Sequence, residues 1–230
     1  MTNFSVKILT IFPSMFPGPL NESVVGDALK RKLWDFEAIN IRDFSTDKHK
    51  TVDDYPVGGG GGMLIKPDVL GCAIDDIMGQ NDIKKIIYLS PRGKLLNQKV
   101  VKEILDHKDI ILICGRYEGI DQRVIDHYNV EEISIGDYVL SGGEIAAYAL
   151  IDSCVRLIPG VLKNADMEES FALNTKYEQL LEYPQYTKPN TWKGHNVPDI
   201  LLGGNHKKIN EWRLEKSKEI TAKNRPDLLK

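Results

Sequence analysis

The sequence predicts an α/β protein built on a parallel sheet flanked by helices, and two observations carry that prediction. Short β-branched apolar runs alternate with stretches of helical period about ten residues long, the pattern of strands joined by crossover helices. Three of the runs, "YLSPRG" (88–93), "CGRYEG" (114–119) and "IGDYVLSGG" (135–143), then break into glycine or proline. Open parallel sheets bind ligands beyond the carboxyl ends of their strands, where such turns lie.

Taken in order, "VKILTIF" (6–12) reads as a buried first strand. "ESVVGDALKRKLWDF" follows as a helix with Val25, Leu29, Leu33 and Phe36 on one stripe, and "EAINIRDF" as a second strand. "KPDVLGCAIDDIMG" repeats the helical stripe through Val69, Ala73, Ile74 and Ile77. The alternation continues with "KKIIYLSP" as strand, "NQKVVKEILDH" as helix, "DIILICG" as strand, "IDQRVIDHY" as a short helix and "VEEISIGDYVL" as strand. A long apolar helix, "GEIAAYALIDSCVRLI", ends before Pro159–Gly160. Beyond Gly160 the periodicity stops, and residues 163–204 carry Pro184, Pro189 and Pro198. "NHKKINEWRLEKSKEITAKNRP" then predicts a helix capped by Asn205 and stopped at Arg225–Pro226. The expected organisation is an α/β domain over 1–160, a linker leading into the next domain over 161–204, and a small helical region over 205–230.

The 42% hydrophobic and 27% charged composition is that of an ordinary globular chain. No apolar run approaches the ~18–20 residues needed to cross a bilayer. The N-terminus lacks a small-residue cleavage site and reads as a first strand rather than a signal peptide. Cys72, Cys114 and Cys154 are widely spaced and odd in number, which argues against a disulfide framework and for a reducing cytoplasm. The five histidines show no ligand spacing, so no metal centre is expected from them. Net charge is −3, but His206–Lys230 holds eight Lys/Arg against four Asp/Glu. That tail is either a solvated mixed-charge helix or a local phosphate-contacting surface.

The three turns supply backbone N–H and C=O groups but no lysine in a phosphate-cradle position. That suits a ligand recognised at an adenine edge and an amino-acid moiety rather than at phosphates. The run "GGGGG" (58–62) sits inside the α/β pattern and enters a helix start at once. It reads equally as a flexible linker or as a loop lying against a flat base.

"HKTVDDYPVGGGGGM", "YLSPRGK", "CGRYEGID", "ISIGDYVLSGGE", "IDSCVRLIPGVL", "YPQYTKP", "VPDILLGGNH" and "WRLEKS…RPDLL" occur in this order. In that order they resemble the bacterial tRNA (guanine-37-N1)-methyltransferases of the TrmD type. The resemblance runs from about residue 6 to the C-terminus. It implies a SPOUT fold whose α/β domain ends in a trefoil knot, cytoplasmic location, tRNA as partner, and a homodimer with its active site between subunits. It also implies an S-adenosylmethionine pocket with three walls: Tyr88, Ser90 and Pro91; Gly115, Arg116, Tyr117 and Glu118; and Ile135, Gly136, Asp137, Tyr138, Val139, Leu140, Gly142 and Gly143. Gly58, Gly59 and Gly60 would lie near the target guanine, Lys207 and Lys208 against tRNA phosphates, and Glu118 on the cofactor's amino group or a magnesium ion.

Methylating N1 of guanine requires removal of the N1 proton while charge builds towards O6. The chemistry asks for a carboxylate base and a cation at O6. By the same resemblance Arg156 takes the second role. The family's usual aspartate is replaced here by glutamate in "DMEESFA", which makes Glu169 the expected base, ahead of Glu168 and Asp166. That replacement also keeps an alternative open, a catalytically impaired RNA- or cofactor-binding SPOUT protein.

Overall fold

The computed structural model describes residues 4–162 and 169–229. The chain forms two compact units, Met1–Lys163 and Asn164–Lys230. In the first unit the strands are β1 (Ser5–Thr10), β2 (Asp35–Asn40), β3 (Asp53–Asp54), β4 (Leu64–Ile65), β5 (Lys85–Leu95), β6 (Asp109–Cys114) and β7 (Glu131–Ser134). Its helices are α1 (Ser23–Lys30), α2 (Pro67–Gln80), α3 (Gln98–Leu105), α4 (Gln122–Tyr128) and α5 (Gly143–Arg156).

Five strands make one sheet in the order β2-β1-β6-β5-β7, and every neighbouring pair is parallel. Successive strand residues point to opposite faces, so the central runs must be apolar throughout. Val6, Ile8, Ile110, Leu112 and Cys114 pack on one face with residues of α1, α3 and α5. Leu9, Ile111 and Ile113 pack on the other with residues of α2 and α4.

Four boundaries differ from the sequence expectation, each for a local reason. The strand expected over 130–140 stops at Ser134, whose hydroxyl donates to the Gly136 carbonyl while Gly136 takes φ 152°. The first helix ends at Lys30, because Lys32 turns into the left-handed region at φ 57°. Trp34 is then buried, its indole N–H donating to the Val25 carbonyl at 3.0 Å, and Phe36 pairs with Val6 as part of β2. The second strand stops at Asn40, whose side chain accepts from the Arg42 amide and starts a 3-10 turn over Ile41–Phe44. The fifth strand continues past Pro91 to Leu95, with Ile133 of β7 aligned first with Leu89 and again with Lys94. That second alignment needs Gly93, since a Cβ there would lie 2.3 Å from the Glu132 carbonyl carbon.

The β3–β4 pair carries the glycine run, and its far end is tied to the turn after β6. Glu118 N donates to Met63 O at 2.9 Å, and Ile65 N to Gly119 O at 2.9 Å. Asp121 caps α4 by accepting from the Arg123 amide. At the other end of α4, the Tyr128 hydroxyl donates to Asp75 on α2 at 2.8 Å.

The second unit contains β8 (Thr191–Trp192), β9 (His195–Asn196), α6 (Asp199–Leu202) and α7 (His206–Asn224). Its core is Ala172, Tyr177, Leu180 and Tyr183, with Leu214 of α7 against it. Asn205 caps α7, its side chain accepting from Lys208 N at 3.2 Å. Thr221 is fully buried and accepts from the Leu181 amide at 2.9 Å, which anchors the helix to the preceding segment.

Burial first, and then the hydrogen bond to Asp75, push the Tyr128 phenol up to about 12. An unfolded tyrosine ionises near 10, so above that pH the unfolded chain loses its proton first. The contribution of Tyr128 is therefore complete below pH ~10 and is lost as pH rises towards ~12. Urea midpoints of the wild type and Tyr128→Phe should converge over that interval. A constant difference across it would show that the phenol does not titrate with folding.

Candidate functional site

A cavity of about 480 Å³ opens at the carboxyl ends of β5, β6 and β7. That is an ordinary size for a small-molecule site, and its place is the one expected of a parallel sheet. Its first wall is the tail of β5, with Tyr88, Ser90 and Pro91. Burial raises the Tyr88 phenol above its ordinary value, so that ring is a neutral wall. The second wall is the turn Gly115, Arg116, Tyr117 and Glu118. Tyr117 holds φ 59°, a strained value for a tyrosine, beside the cavity. The third wall is Ile135, Gly136, Tyr138, Val139 and Leu140, with Gly142 and Gly143 where α5 begins. Asp137 differs from expectation: it is exposed and is not among the lining residues. Leu64, Arg92, Gln122 and Ser141 line the cavity without having been singled out in the sequence.

The second and third walls meet, together with the end of β1, at a buried ion pair. Glu144, in the first turn of α5, is 0% exposed, and its Oε2 lies 2.8 Å from Arg116 Nη2. This is an ion pair rather than an aligned hydrogen bond. The other carboxylate oxygen accepts from Thr10 Oγ1 at 2.7 Å, at the end of β1. Arg116 Nη1 donates to Ser141 O at 3.2 Å, and the guanidinium sits 4.6 Å from the centroid of the Phe12 ring. Arg116 thus spends its charge on the protein, and its role is to join the turns after β1 and β6 to the entry of α5. Glu144 was missed by the sequence reading. Its signal was an acid at the start of an otherwise apolar helix, which reads first as a dipole partner.

Two close approaches complete the seam. Gly143 N donates to Gly115 O at 2.9 Å, and a Cβ on Gly143 would stand 2.8 Å from the Cys114 Cα. A Cβ on Gly142 would meet Arg116 Nε at 2.2 Å. A side chain there strikes the arginine stem rather than simply filling the cavity.

Arg92 is paired with Glu132 at 3.0 Å. Exposed Glu118, which meets the end of the glycine run, has no ion-pair partner among the described residues. A Cβ on Gly62 would lie 2.4 Å from the Glu118 Cγ, so the run ends against that side chain. Gly58, Gly59 and Gly60 all have φ in the left-handed region and open space around them. They are a loop tip of defined backbone shape and are not among the residues that line the cavity.

Arg156 is the last residue of α5 and is not among the lining residues. The helix has 14 residues, so Arg156 lies roughly 20 Å from the end that touches the cavity. Glu169 belongs to the second unit, its carbonyl accepting from Ala172 N at 3.3 Å. Glu168 and Asp166 lie outside the described residues. Lys207 and Lys208 are exposed in the first turn of α7. The helix dipole disfavours lysine there, so stability does not account for them.

Removing one partner of a buried pair leaves the other charge stranded, at a cost of about 3–5 kcal/mol. Glu144→Ala and Arg116→Met should each lower unfolding free energy by about that amount. The double replacement Arg116→Met/Glu144→Leu should cost less than either single change. Gly142→Val should lower thermal stability as well as ligand binding. Additive urea-denaturation losses in the double variant would show that the pair does not organise the seam.

The chain matches the family model described as tRNA (Guanine-1)-methyltransferase TrmD over residues 4–230. It is 54% identical over 226 residues to a tRNA (guanine-N(1)-)-methyltransferase of Ehrlichia canis (strain Jake), covering 97% of this chain and 94% of that one. A protein of the same name from Wolbachia pipientis wMel is 54% identical over 228 residues, with 98% and 95% covered. One from Rickettsia akari (strain Hartford) is 52% identical over 232 residues, with 100% and 99% covered. Near full-length agreement at this level, on top of the cavity at the sheet's carboxyl edge, leaves one conclusion: the chain belongs to the TrmD family of tRNA (guanine-1)-methyltransferases.

Proposed function

We propose that the chain transfers a methyl group from S-adenosylmethionine to N1 of the guanine at position 37 of tRNA, 3′ of the anticodon, in the cytoplasm. The observation that carries this reading is the cavity at the carboxyl edge of the sheet, in a chain of this family. Nothing found for the chain favours a catalytically impaired binding protein instead.

The residues present fit the cofactor. Both lining arginines are neutralised by carboxylates of the protein, and Glu118 is left to face a cation. A ligand bearing a sulfonium and an ammonium matches that balance, whereas a phosphate-rich one does not. When bound, S-adenosylmethionine supplies a methyl group on positively charged sulfur. The turns at Gly115, Gly136 and Gly142 hold it through backbone groups and exclude water on the side of Tyr88. Glu118 binds the ammonium or, with water and substrate oxygens, one magnesium ion; a single carboxylate is the kind of protein ligand that ion takes.

Glu169 removes the N1 proton and Arg156 balances the charge developing at O6. Because Arg156 lies roughly 20 Å along α5 from the cavity of its own chain, the arginine serving each cavity comes from a second copy, and the active form is a homodimer. A trefoil knot at the end of the first unit is supported by the path of the chain. β7 pairs with β5 on both sides of the 90–93 bulge, and the following segment returns to place Gly143 on Gly115.

Glu169→Gln should keep cofactor and tRNA binding within a few-fold while reducing single-turnover methyl transfer by roughly 10²–10⁴-fold. Near-normal transfer, with collapse in Glu168→Gln or Asp166→Asn, would move the base to that neighbour.

The shared site has its own check. Arg156→Ala and Glu118→Arg should each be inactive alone. Their heterodimer would hold one intact site, so unfolding and refolding an equal mixture should restore up to about a quarter of wild-type activity. A mixture as inactive as its components would place both residues on one chain's site.

A further inference from the structure

The second unit contains a cavity of about 190 Å³ that the methyl-transfer reading does not use. Its back is Tyr183 and Ile209, both buried, and its mouth is formed by exposed Gln185 and Tyr186. Trp212 and Arg213 of α7, with Pro184 and Leu201, make the remaining lining. The Tyr186 and Trp212 rings stand 6.4 Å apart at 53°, and the Arg213 guanidinium lies 4.8 Å over the Tyr183 ring. A cavity made only to be filled by the core would close over its rings. Here Tyr186 is 48% exposed and the half-buried Trp212 is tilted to it, leaving aromatic surface at an open mouth.

The charge around the mouth identifies the occupant. Ile209, Trp212, Arg213 and Lys216 share one face of α7 by their three- and four-residue spacing. Lys216 is paired with Glu219 at 2.6 Å, so the basic character beside the cavity is that of the helix as a whole. Across α7 six Lys/Arg stand against three Glu, with two of the lysines in the first turn. Aromatic faces for stacking inside a basic rim are the chemistry that holds an unstacked base of a single-stranded RNA segment. A lipid surface would ask for a larger apolar face, and an acidic peptide would have little use for three rings. We infer that this cavity receives one nucleobase of the bound tRNA, stacked on Tyr186 with its edge towards the tilted Trp212 ring, as a recognition site separate from the cofactor cavity. The inference rests on the tRNA-methyltransferase reading.

The test uses the full chain and a tRNA transcript, with Tyr186→Leu, Tyr186→Ala and Tyr186→Phe. Leu keeps the apolar cover without a π-face, and Phe keeps the face. Loss of one stacked base should weaken tRNA binding roughly five- to 150-fold in Leu and Ala, and Phe should stay near wild type. The dependence of affinity on salt should be unchanged, because no phosphate contact is lost, whereas Lys207→Glu/Lys208→Glu should flatten it. Transcripts carrying an abasic residue at each loop position in turn locate the base. One such position should weaken wild-type binding and have no further effect in Tyr186→Leu. Equal affinity of wild type and Tyr186→Leu, or independent losses at every abasic position, would overturn the proposal. A wild-type chain that neither binds nor methylates tRNA would instead overturn the parent reading, and cofactor binding measured in every variant separates either result from misfolding.

Discussion

The site depends on one buried carboxylate. Glu144 is fully enclosed, yet it holds Arg116 on one oxygen and Thr10 on the other. The end of β1, the turn after β6 and the first turn of α5 therefore cannot move independently. An apolar trio of the same volume would be no less stable, by the usual balance of desolvation against attraction. What the polar arrangement adds is geometry. The guanidinium must also meet the Ser141 carbonyl and the Phe12 face, so the third wall has one position relative to the second. Gly142 and Gly143 are the cost of that seam, since the arginine stem and the Cys114 backbone occupy the space where their Cβ atoms would be.

Much of the fold was legible from periodicity because the central strands are buried on both faces. Runs such as "DIILIC" have no other stable use than a covered parallel sheet. The misread boundaries share a cause: the apolar pattern continued while the backbone changed state. Leu33 and Phe36 extend a helical stripe on paper, but the left-handed turn at Lys32 converts the same residues into a buried corner and a strand. "SPRGK" looks like a turn, and only Gly93's contact with β7 lets it go on pairing. Periodicity registers which side chains are buried; it does not register where a single φ reverses.

The walls were readable as glycine-bearing turns, but the reason for each glycine was not. Gly58, Gly59, Gly60 and Gly62 all take positive φ, so composition that suggests a slack linker here specifies a loop shape. Glu118 lies three residues before Asp121 at a helix start, so sequence alone allows a cap there as well as a ligand contact. Asp121 takes the cap and leaves Glu118 at the rim. The role of Arg116 was the least legible. A sequence gives an arginine beside a glycine turn but not the carboxylate 28 positions later that consumes its charge.

That consumption decides what charge the cavity presents. Two arginines line it, and counted as free charges they would call for phosphate. Each is instead matched by a glutamate within the protein, Arg116 by Glu144 and Arg92 by Glu132. The remaining charge among the lining residues is the carboxylate of Glu118. A pocket so balanced offers no uncompensated cation to a phosphate, and the proposal of S-adenosylmethionine rests on that balance. The absence of a phosphate-binding glycine motif and the presence of the Arg116–Glu144 pair are thus two expressions of one design. The sheet offers its usual crevice, and internal pairing reverses the charge that the crevice prefers.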